Sequence, residues 1–388
     1  MLEAPPLLPS KPDRPRRVFI TVAEVSADQH AAHLIHSLKE LDPTIIVEGL
    51  GGPAMRAAGA IIHHETVGKA AMGLSGVYRV FEMFDFVKWT RKYFAQNRPD
   101  LQICCDSPEM NFHFAKLAHG FGTPVLFYIA PQLWAWREWR MTKLRKWVDH
   151  VACILPFEEK YFRDHGIKAT FVGHPLFDEL PARPPRTMTA DFSQRGPVIG
   201  LLPGSRKSEA AHNFGPMLKV ADQILAAFPK AKFLVPTTPA THPVVSRLVG
   251  DRQNIEFEQG QFDLMVPRCD LCVTVSGTAT LHVAGHHVPM LVVYRLNQLM
   301  WHVGRWFVHT RTYALVNLLS DSKAHIVPEF IPWFGSPDAI SAAAIALLRD
   351  PAKLTAQAEQ LERLIRSLDR PGASMNVAKL AVEMMSAK

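Results

Sequence analysis

Short, almost purely apolar runs alternate with longer amphipathic stretches along most of this chain. That alternation predicts βαβ units, because strands covered by helices on both faces read as continuous apolar segments rather than as alternating ones. In the first half the strand candidates are residues 17–22 (RVFITV), 45–50 (IIVEGL), 101–105 (LQICC), 124–130 (PVLFYIA), 150–155 (HVACIL) and 169–172 (ATFV). The pattern breaks over residues 176–196, which are proline-rich and carry neither helical nor strand periodicity. It restarts with 197–202 (PVIGLL), 231–235 (AKFLV), 254–257 (NIEF), 270–275 (DLCVTV) and 289–294 (PMLVVY). With 388 residues the chain exceeds the roughly 250–300 at which a single core stops growing. The expected fold is therefore α/β, with Rossmann-like, doubly wound parallel-sheet domains at 17–175 and 197–337 joined by a linker at 176–196. Residues 1–16, which include five prolines, are expected to form a disordered tail, and 338–388 reads as helix only. Ligands of such sheets sit at the carboxyl ends of the strands, so the strand-to-helix loops are where chemistry is expected.

An apolar fraction of 48% with 20% charged residues excludes a globally disordered chain. Forty-three basic against 36 acidic residues leave a net charge of +7, which favours anionic partners without choosing among nucleic acid, phosphorylated metabolites and acidic lipid. The N-terminus lacks the apolar core of a secretory signal, so export is not expected. Residues 271–294 carry no Asp, Glu, Lys or Arg, yet they include His282, His286, His287, Gly277, Gly285 and Pro289. They read as buried strand, loop, helix and strand rather than as a membrane span. Cys269 and Cys272 form a C-x-x-C without a second pair, which favours core packing over a zinc site.

Four loops have the composition of a ligand site. After PVIGLL comes PGSRKSE, where Gly204, Ser205 and Arg206 open a helix. Glycine admits a phosphate to the backbone, helix N-terminal amides point at it, and a guanidinium grips two oxygens. The competing reading is a turn in which Ser205 caps the helix and Arg206 is solvated. After DLCVTV, the small-residue turn of Ser276, Gly277 and Thr278 opens a second helix that could face the same diphosphate. Neither loop matches the P-loop or the dinucleotide fingerprint. The loop after the first strand holds Glu24, Ser26 and Asp28, where Ser26 or Asp28 capping the next helix is the alternative. The loop after LQICC begins with Asp106, a carboxylate at the mouth of an apolar strand and so suited to removing a proton. Its competing role is to cap the following helix.

Residues 131–147 (PQLWAWREWRMTKLRKW) combine four tryptophans with Arg137, Arg140, Lys143, Arg145 and Lys146, a mixture suited to phosphates or a membrane headgroup region. Residues 77–95 carry aromatics at seven positions, more than one buried stripe needs. A lipid or acyl-chain surface, a homodimer interface and a core helix all account for them. The segment 300–311 (MWHVGRWFVHTR) is similar in kind. No RNP, KH or zinc-finger pattern is present, so nucleic acid is not an expected partner.

In order along the chain stand GGPAMRAAG (51–59), AMGLSGV (71–77), CDSPEMNF (105–112), APQLWAWR (130–137), VDHVACILPFE (148–158), FVGHPL (171–176), LLPGSR (201–206), SGTATL (276–281) and VPEF (327–330). Together they resemble the lipid-A-disaccharide synthase family from about residue 17 to about 385. The resemblance implies a GT-B fold, with two domains facing a central cleft and the last helix crossing back to the first domain. It implies an inverting transferase that joins UDP-2,3-diacylglucosamine to 2,3-diacylglucosamine 1-phosphate in a β-1,6 linkage, without a metal or other cofactor, peripherally on the cytoplasmic face of the inner membrane. By motif, Asp106 is similar to the family's general base, and Arg206 with Gly204 and Ser205 to its diphosphate loop. Ser276, Gly277 and Thr278 are similar to its second nucleotide loop, while Asn317 and Glu329 lie in a matching C-terminal stretch.

Three positions depart from the family pattern. Ala23 and Ala27 replace glycines around Glu24 and Ser26, and His282 stands where the pattern has Glu. A neutral histidine keeps at most one acceptor contact to a ribose hydroxyl. Two other readings share this fold: a transferase or epimerase of another UDP-sugar, and a sugar-nucleotide-binding protein without turnover.

Overall fold

The computed structural model describes residues 14–67, 76–135, 138–180, 192, 194–296, 312–320, 325–368, 370 and 372–386, with only the backbone described at 76–81 and Glu179. Most of the expected tail and linker, and the aromatic segment 300–311, lie outside the described residues. The chain divides into two units, Met1–Glu179 with Asp369–Lys388, and Leu180–Leu368.

The first unit is built on seven strands, β1 (Arg17–Thr21), β2 (Ile46–Gly51), β3 (Ile61–Glu65), β4 (Leu101–Cys105), β5 (Val125–Tyr128), β6 (His150–Cys153) and β7 (Ala169–Phe171). They pair in the order β3-β2-β1-β4-β5-β6-β7, all parallel. Crossovers run through α1 (Val25–Leu41), α2 (Pro53–Ala57), α3 (Gly76–Gln96), α4 (Pro108–Gly120), α5 (Met141–Trp147), α6 (Pro156–Asp164) and α7 (Leu176–Glu179). Side chains alternate along β1, so Val18 and Ile20 enter the core under α1 while Phe19 enters a second core with Phe94, Phe112 and Phe114.

The second unit repeats the plan with β8 (Val198–Leu202), β9 (Lys232–Thr237), β10 (Ile255–Gln259), β11 (Leu271–Val275), β12 (Met290–Arg295) and β13 (Glu329–Trp333), in the order β10-β9-β8-β11-β12-β13. Its helices are α8 (Lys207–Ala227), α9 (His242–Val249), α10 (Phe262–Met265), α11 (Thr278–Gly285), α12 (Leu315–Leu318), α13 (Asp338–Leu348) and α14 (Pro351–Leu368). Cys269 and Cys272 are buried, and a Cβ on Gly200 of β8 would stand 2.6 Å from the Cys272 sulfur. The two sulfurs fill the space that this glycine leaves.

The last helix, α15 (Ala373–Ser386), belongs to the first unit and packs on α1. Asp178 of α7 holds its start by accepting hydrogen bonds from the amides of Gly372, Ala373 and Ser374 at 2.8–3.0 Å. A helical turn thus opens the stretch expected to be linker. Two strands escape the sequence pattern, β3 and β13, and both are edge strands. An edge strand needs no continuous apolar run and tolerates a proline such as Pro332.

Candidate functional site

Each sheet has one point where strand order reverses. In the first unit β4 lies beside β1, and in the second β11 lies beside β8. Loops leaving neighbouring strands at such a point turn to opposite faces and leave a crevice at the carboxyl ends. In the first unit those two loops carry Glu24 and Asp106. In the second they carry Gly204, Ser205 and Arg206, and Ser276, Gly277 and Thr278.

Asp106 is half-buried at the end of β4, and its backbone is left-handed at φ 53°, as is that of Ser107 at φ 45°. Two consecutive non-glycine residues in this region cost on the order of 1–2 kcal/mol each. The surroundings hold them there. The Asp106 amide donates to the Tyr128 carbonyl at 2.9 Å. From the first turn of α4, the fully buried Asn111 donates through Nδ2 to the carbonyls of Asp106 at 2.6 Å, Cys105 at 3.1 Å and Thr21 at 3.3 Å. Thr21 Oγ1 donates to Asn111 Oδ1 at 2.6 Å and accepts from Gln102 Nε2 at 3.0 Å. A buried polar network thus ties β1, β4 and α4 together and aims the Asp106 turn. Ser107, not Asp106, is the N-cap residue of α4, and its side chain makes no capping bond. The N-cap position weighed for Asp106 thus belongs to Ser107.

Glu24 is the N-cap residue of α1, with extended backbone, and Ser26 is exposed in its first turn. Neither Ser26 nor Asp28 caps α1. Asp28 is 2% exposed and instead receives the amides of Gly52 at 2.8 Å, Ala54 at 2.9 Å and Met55 at 3.3 Å, at the start of α2. A Cβ on Gly52 would lie 2.5 Å from Asp28 Oδ2, so the second glycine of GGPAMRAAG makes room for that carboxylate.

Arg206 is the N-cap residue of α8 and is exposed. Its guanidinium meets Glu209 Oε1 at 3.0 Å while its amide donates to Glu209 Oε2 at 3.4 Å, so Glu209 orients both ends of the residue. Ser205 does not cap α8; its carbonyl accepts from Thr238 Oγ1 at 3.0 Å. Gly204 has φ 111°, and a Cβ there would lie 2.7 Å from Glu209 Oε2, two independent reasons for glycine. Burial, then Glu209, pushes the hydroxyl of nearby Tyr294 above its ordinary value.

Across the switch point, Gly277 is the N-cap residue of α11 at φ 150°, with open space beside its Cα, and Thr278 is exposed. Ser276 Oγ donates to the Tyr313 carbonyl at 2.8 Å. The same short segment is held from the other side by Glu329, which accepts from the amides of Tyr313 at 2.9 Å and Ala314 at 3.2 Å. Asn317 Nδ2 donates to Glu329 Oε1 at 2.6 Å and to the Val327 carbonyl at 2.8 Å. Ser276, Asn317 and Glu329 therefore converge on Tyr313 and Ala314 and shape that loop. His282 stands apart from them. Its Nε2 lies 2.8 Å from Asp263 Oδ1, which also lies 2.7 Å from His286 Nε2, and its ring stacks on Phe262 at 4.1 Å. Burial raises the Asp263 carboxyl, but the two imidazoles outweigh it and hold the group below its ordinary value.

Of the aromatic stretches, 77–95 forms α3. Phe86, Trp89 and Tyr93 pack against the core, Phe94 is buried in it, and Phe84 is 53% exposed. The Phe81 side chain lies outside the described residues. In the loop after β5, Trp134 Nε1 donates to the buried Glu158 at 3.0 Å. Asn111 and Glu209 brace these loops, Tyr313 is held between Ser276 and Glu329, and Asp263 pairs with His282. Asn111 and Glu209 stand within the stretches CDSPEMNF and PGSRKSE, while Asp263 and Tyr313 left no local signal.

A model of the lipid-A-disaccharide synthetase family matches residues 18–384. The lipid-A-disaccharide synthase of Anaeromyxobacter dehalogenans is 34% identical over 377 residues, covering 95% of this chain and 97% of that protein. That of Nitrosococcus oceani is 34% identical over 375 residues, covering 95% and 96%. Among solved structures, the glycotransferase of kitacinnamycin superposes with a TM-score of 0.61 at 18% identity, covering 96% of this chain and 100% of that one. Its likeness shows the fold, two Rossmann-like parallel-sheet domains of the GT-B class. A full-length family match and relatives above 30% identity over nearly the whole chain make this protein a member of the lipid-A-disaccharide synthetase family of sugar-transferring enzymes.

Proposed function

We propose that this protein joins UDP-2,3-diacylglucosamine to 2,3-diacylglucosamine 1-phosphate through a β-1,6 linkage and releases UDP. The observation that carries this reading is Asp106 held in a braced left-handed turn at the switch point of the first sheet. Its carboxylate takes the proton of the acceptor 6-hydroxyl. The freed oxygen pair forms the new bond at the donor's anomeric carbon from the face opposite the nucleotide, and the old C–O bond breaks with its electrons leaving on UDP. One bond forms and one breaks in a single displacement from the opposite face, and that backside attack inverts the anomeric centre. Charge growing on the diphosphate is met by Arg206 and by the first-turn amides of α8 and α11, where helix dipoles favour an anion. Ser276, Asn317 and Glu329 act on the donor through the loop they shape, and His282 with Asp263 takes the place of the carboxylate that the family pattern carries.

Both substrates carry acyl chains, so we place the protein peripherally on the cytoplasmic face of the inner membrane. Among the described residues no helix is long and apolar enough to cross a membrane. The exposed Phe84 and Trp139, at 53% and 62%, are the side chains that support contact with lipid.

The test is UDP release by purified protein given the two substrates, with Asp106→Asn alongside. Turnover that falls by about 10²–10⁴ in the variant, with UDP affinity kept, supports the assignment. Turnover that survives, or UDP affinity that collapses, removes Asp106 as base. Wild-type protein that binds UDP but does not turn over removes this substrate pair.

A further inference from the structure

We infer that a groove between α4 and α5 is a phosphate-monoester subsite, and that in the reaction proposed above, on which this inference rests, it holds the anomeric phosphate of the acceptor sugar. The groove encloses about 290 Å³, the low end of small-ligand sites. It is made of two facing stripes. Glu109, His113 and Lys116 recur at helical spacing along α4, while Arg140, at the N-cap of α5, Lys143 and Trp147 recur along α5.

The charges in the groove do not balance. Arg140, Lys116 and Lys143 are three basic side chains, and among the described lining residues only Glu109 is acidic, bonded to Arg140 Nη1 at 2.8 Å. Three minus one leaves a surplus of +2. Neither ammonium uses a carboxylate in the groove. Lys116 Nζ sits 5.7 Å from the Trp147 ring centre, and Lys143 Nζ sits 5.6 Å from that of Phe112 and 5.4 Å from that of Trp139. A ring face positions an ammonium while leaving its N–H groups able to bind oxygen. Arg140 Nε is buried without a hydrogen-bond partner among the described residues, a donor cost that a phosphate oxygen would remove. Desolvation, then the charges of Lys143 and Lys116, pushes the His113 imidazole below its ordinary value, so the groove is electropositive where a dianion would lie.

Position selects the ligand. Glu109 follows Asp106 by three residues, so the groove opens next to the turn that carries the candidate base. An acceptor whose 6-hydroxyl meets Asp106 carries its phosphate on the carbon just across the ring oxygen from the one that bears the hydroxymethyl group, within reach of a groove beside that turn. Two ammonium ions and a guanidinium suit a phosphate monoester, which presents two charges and three oxygens.

Two measurements test this. The first compares kcat/KM for 2,3-diacylglucosamine 1-phosphate and for the same acceptor lacking phosphate, in detergent micelles, for wild type and for Lys116→Gln and Lys143→Gln. The ratio should fall about tenfold in each variant, the size expected for one lost charge-assisted contact. A ratio that stays at the wild-type value overturns the subsite. If binding to phosphatidylglycerol vesicles falls in both variants while that ratio holds, the groove serves bilayer headgroups and the inference fails. The second measurement needs no turnover, so it stands even if the proposed reaction does not. The His113 imidazole, followed by NMR and assigned with His113→Gln, should titrate at least about one pH unit higher with glucosamine 1-phosphate bound. A titration unmoved by saturating glucosamine 1-phosphate overturns it.

Discussion

Asn111 Nδ2 stands 2.6 Å from the carbonyl oxygen of Asp106, and this bond joins a fully buried amide to a turn with two consecutive left-handed residues. Removing it strips donors from three carbonyls at once, those of Thr21, Cys105 and Asp106.

Asn111→Ala should therefore destabilise the fold by on the order of 2–3 kcal/mol, the cost of leaving buried polar groups unpaired. It should also lower kcat for UDP release in the folded protein at least about tenfold, since the turn that aims the carboxylate relaxes. Urea unfolding reads the first effect and steady-state kinetics the second. Lost stability with unchanged kcat would make Asn111 a packing residue only.

Arg206 makes the opposite case, an exposed residue whose loss the fold should scarcely feel. Its ion pair with Glu209 has the Arg206 side chain 61% exposed, and such pairs contribute about 0–1 kcal/mol. Arg206→Ala should leave thermal stability nearly unchanged and weaken UDP binding by about ten- to a hundredfold, as loss of a charge-assisted contact would. Gly204→Ala should harm both. Its Cβ would meet Glu209, and its left-handed backbone disfavours any side chain. Calorimetric titration with UDP and thermal melting of the two variants separate the cases.

Physical burial decides how much of this was legible beforehand. Strands such as LQICC and DLCVTV are covered on both faces and announce themselves as apolar runs; IIHHE and EFIPW sit at sheet edges and do not. Asp106 and Arg206 stand out as candidates in the sequence because each is a charged group just beyond an apolar strand. Their supports differ. Glu209 lies three residues from Arg206 and left a local trace. Asn111 works through Thr21, 90 residues away, and Asp28 reaches 24 residues to cap α2 rather than its own helix. Local spacing carries no record of such long-range partners, so capping rules assigned Asp28 to the wrong helix.

The partly buried His30 and the fully buried Glu158 shift stability with pH in opposite directions. Burial, reinforced by His33 and opposed by Asp178, lowers the His30 imidazole to about 4. Burial raises the Glu158 carboxyl to about 7 despite its bonds from Trp134 and Leu155. Between pH 5 and 7 the unfolded chain holds more protons at His30, so that group adds stability as pH rises. At Glu158 the folded chain holds more, so stability is lost as pH rises. Each contributes about 2 kcal/mol over this window, with opposite sign. Unfolding free energy of the wild type should thus be nearly flat in their joint contribution. His30→Gln should lose about 2 kcal/mol from pH 5 to 7 relative to wild type, and Glu158→Gln should gain about as much. Parallel pH profiles for all three proteins would show that neither group titrates in this way.

His282 and Asp263 are matched to each other. With Nε2 2.8 Å from Oδ1, a histidine at 282 can donate to the carboxylate, whereas a glutamate there would place two carboxylates in contact. The depressed Asp263 carboxyl marks stability that is present above the ordinary carboxylate range and is lost as pH falls through its lowered value. His282→Glu should invert that behaviour. At pH 7 the like charges should cost on the order of 1 kcal/mol, a modest figure because Asp263 is half-exposed and screened by solvent. Protonating one member of the pair restores a shared hydrogen bond, so the variant should recover toward wild type as pH falls from 7 to 5. Thermal melting at pH 7 and pH 5 checks both arms. A variant that melts with the wild type at pH 7 would mean that the His282–Asp263 contact carries no net stability. It would leave the histidine answerable only to whatever binds above α11.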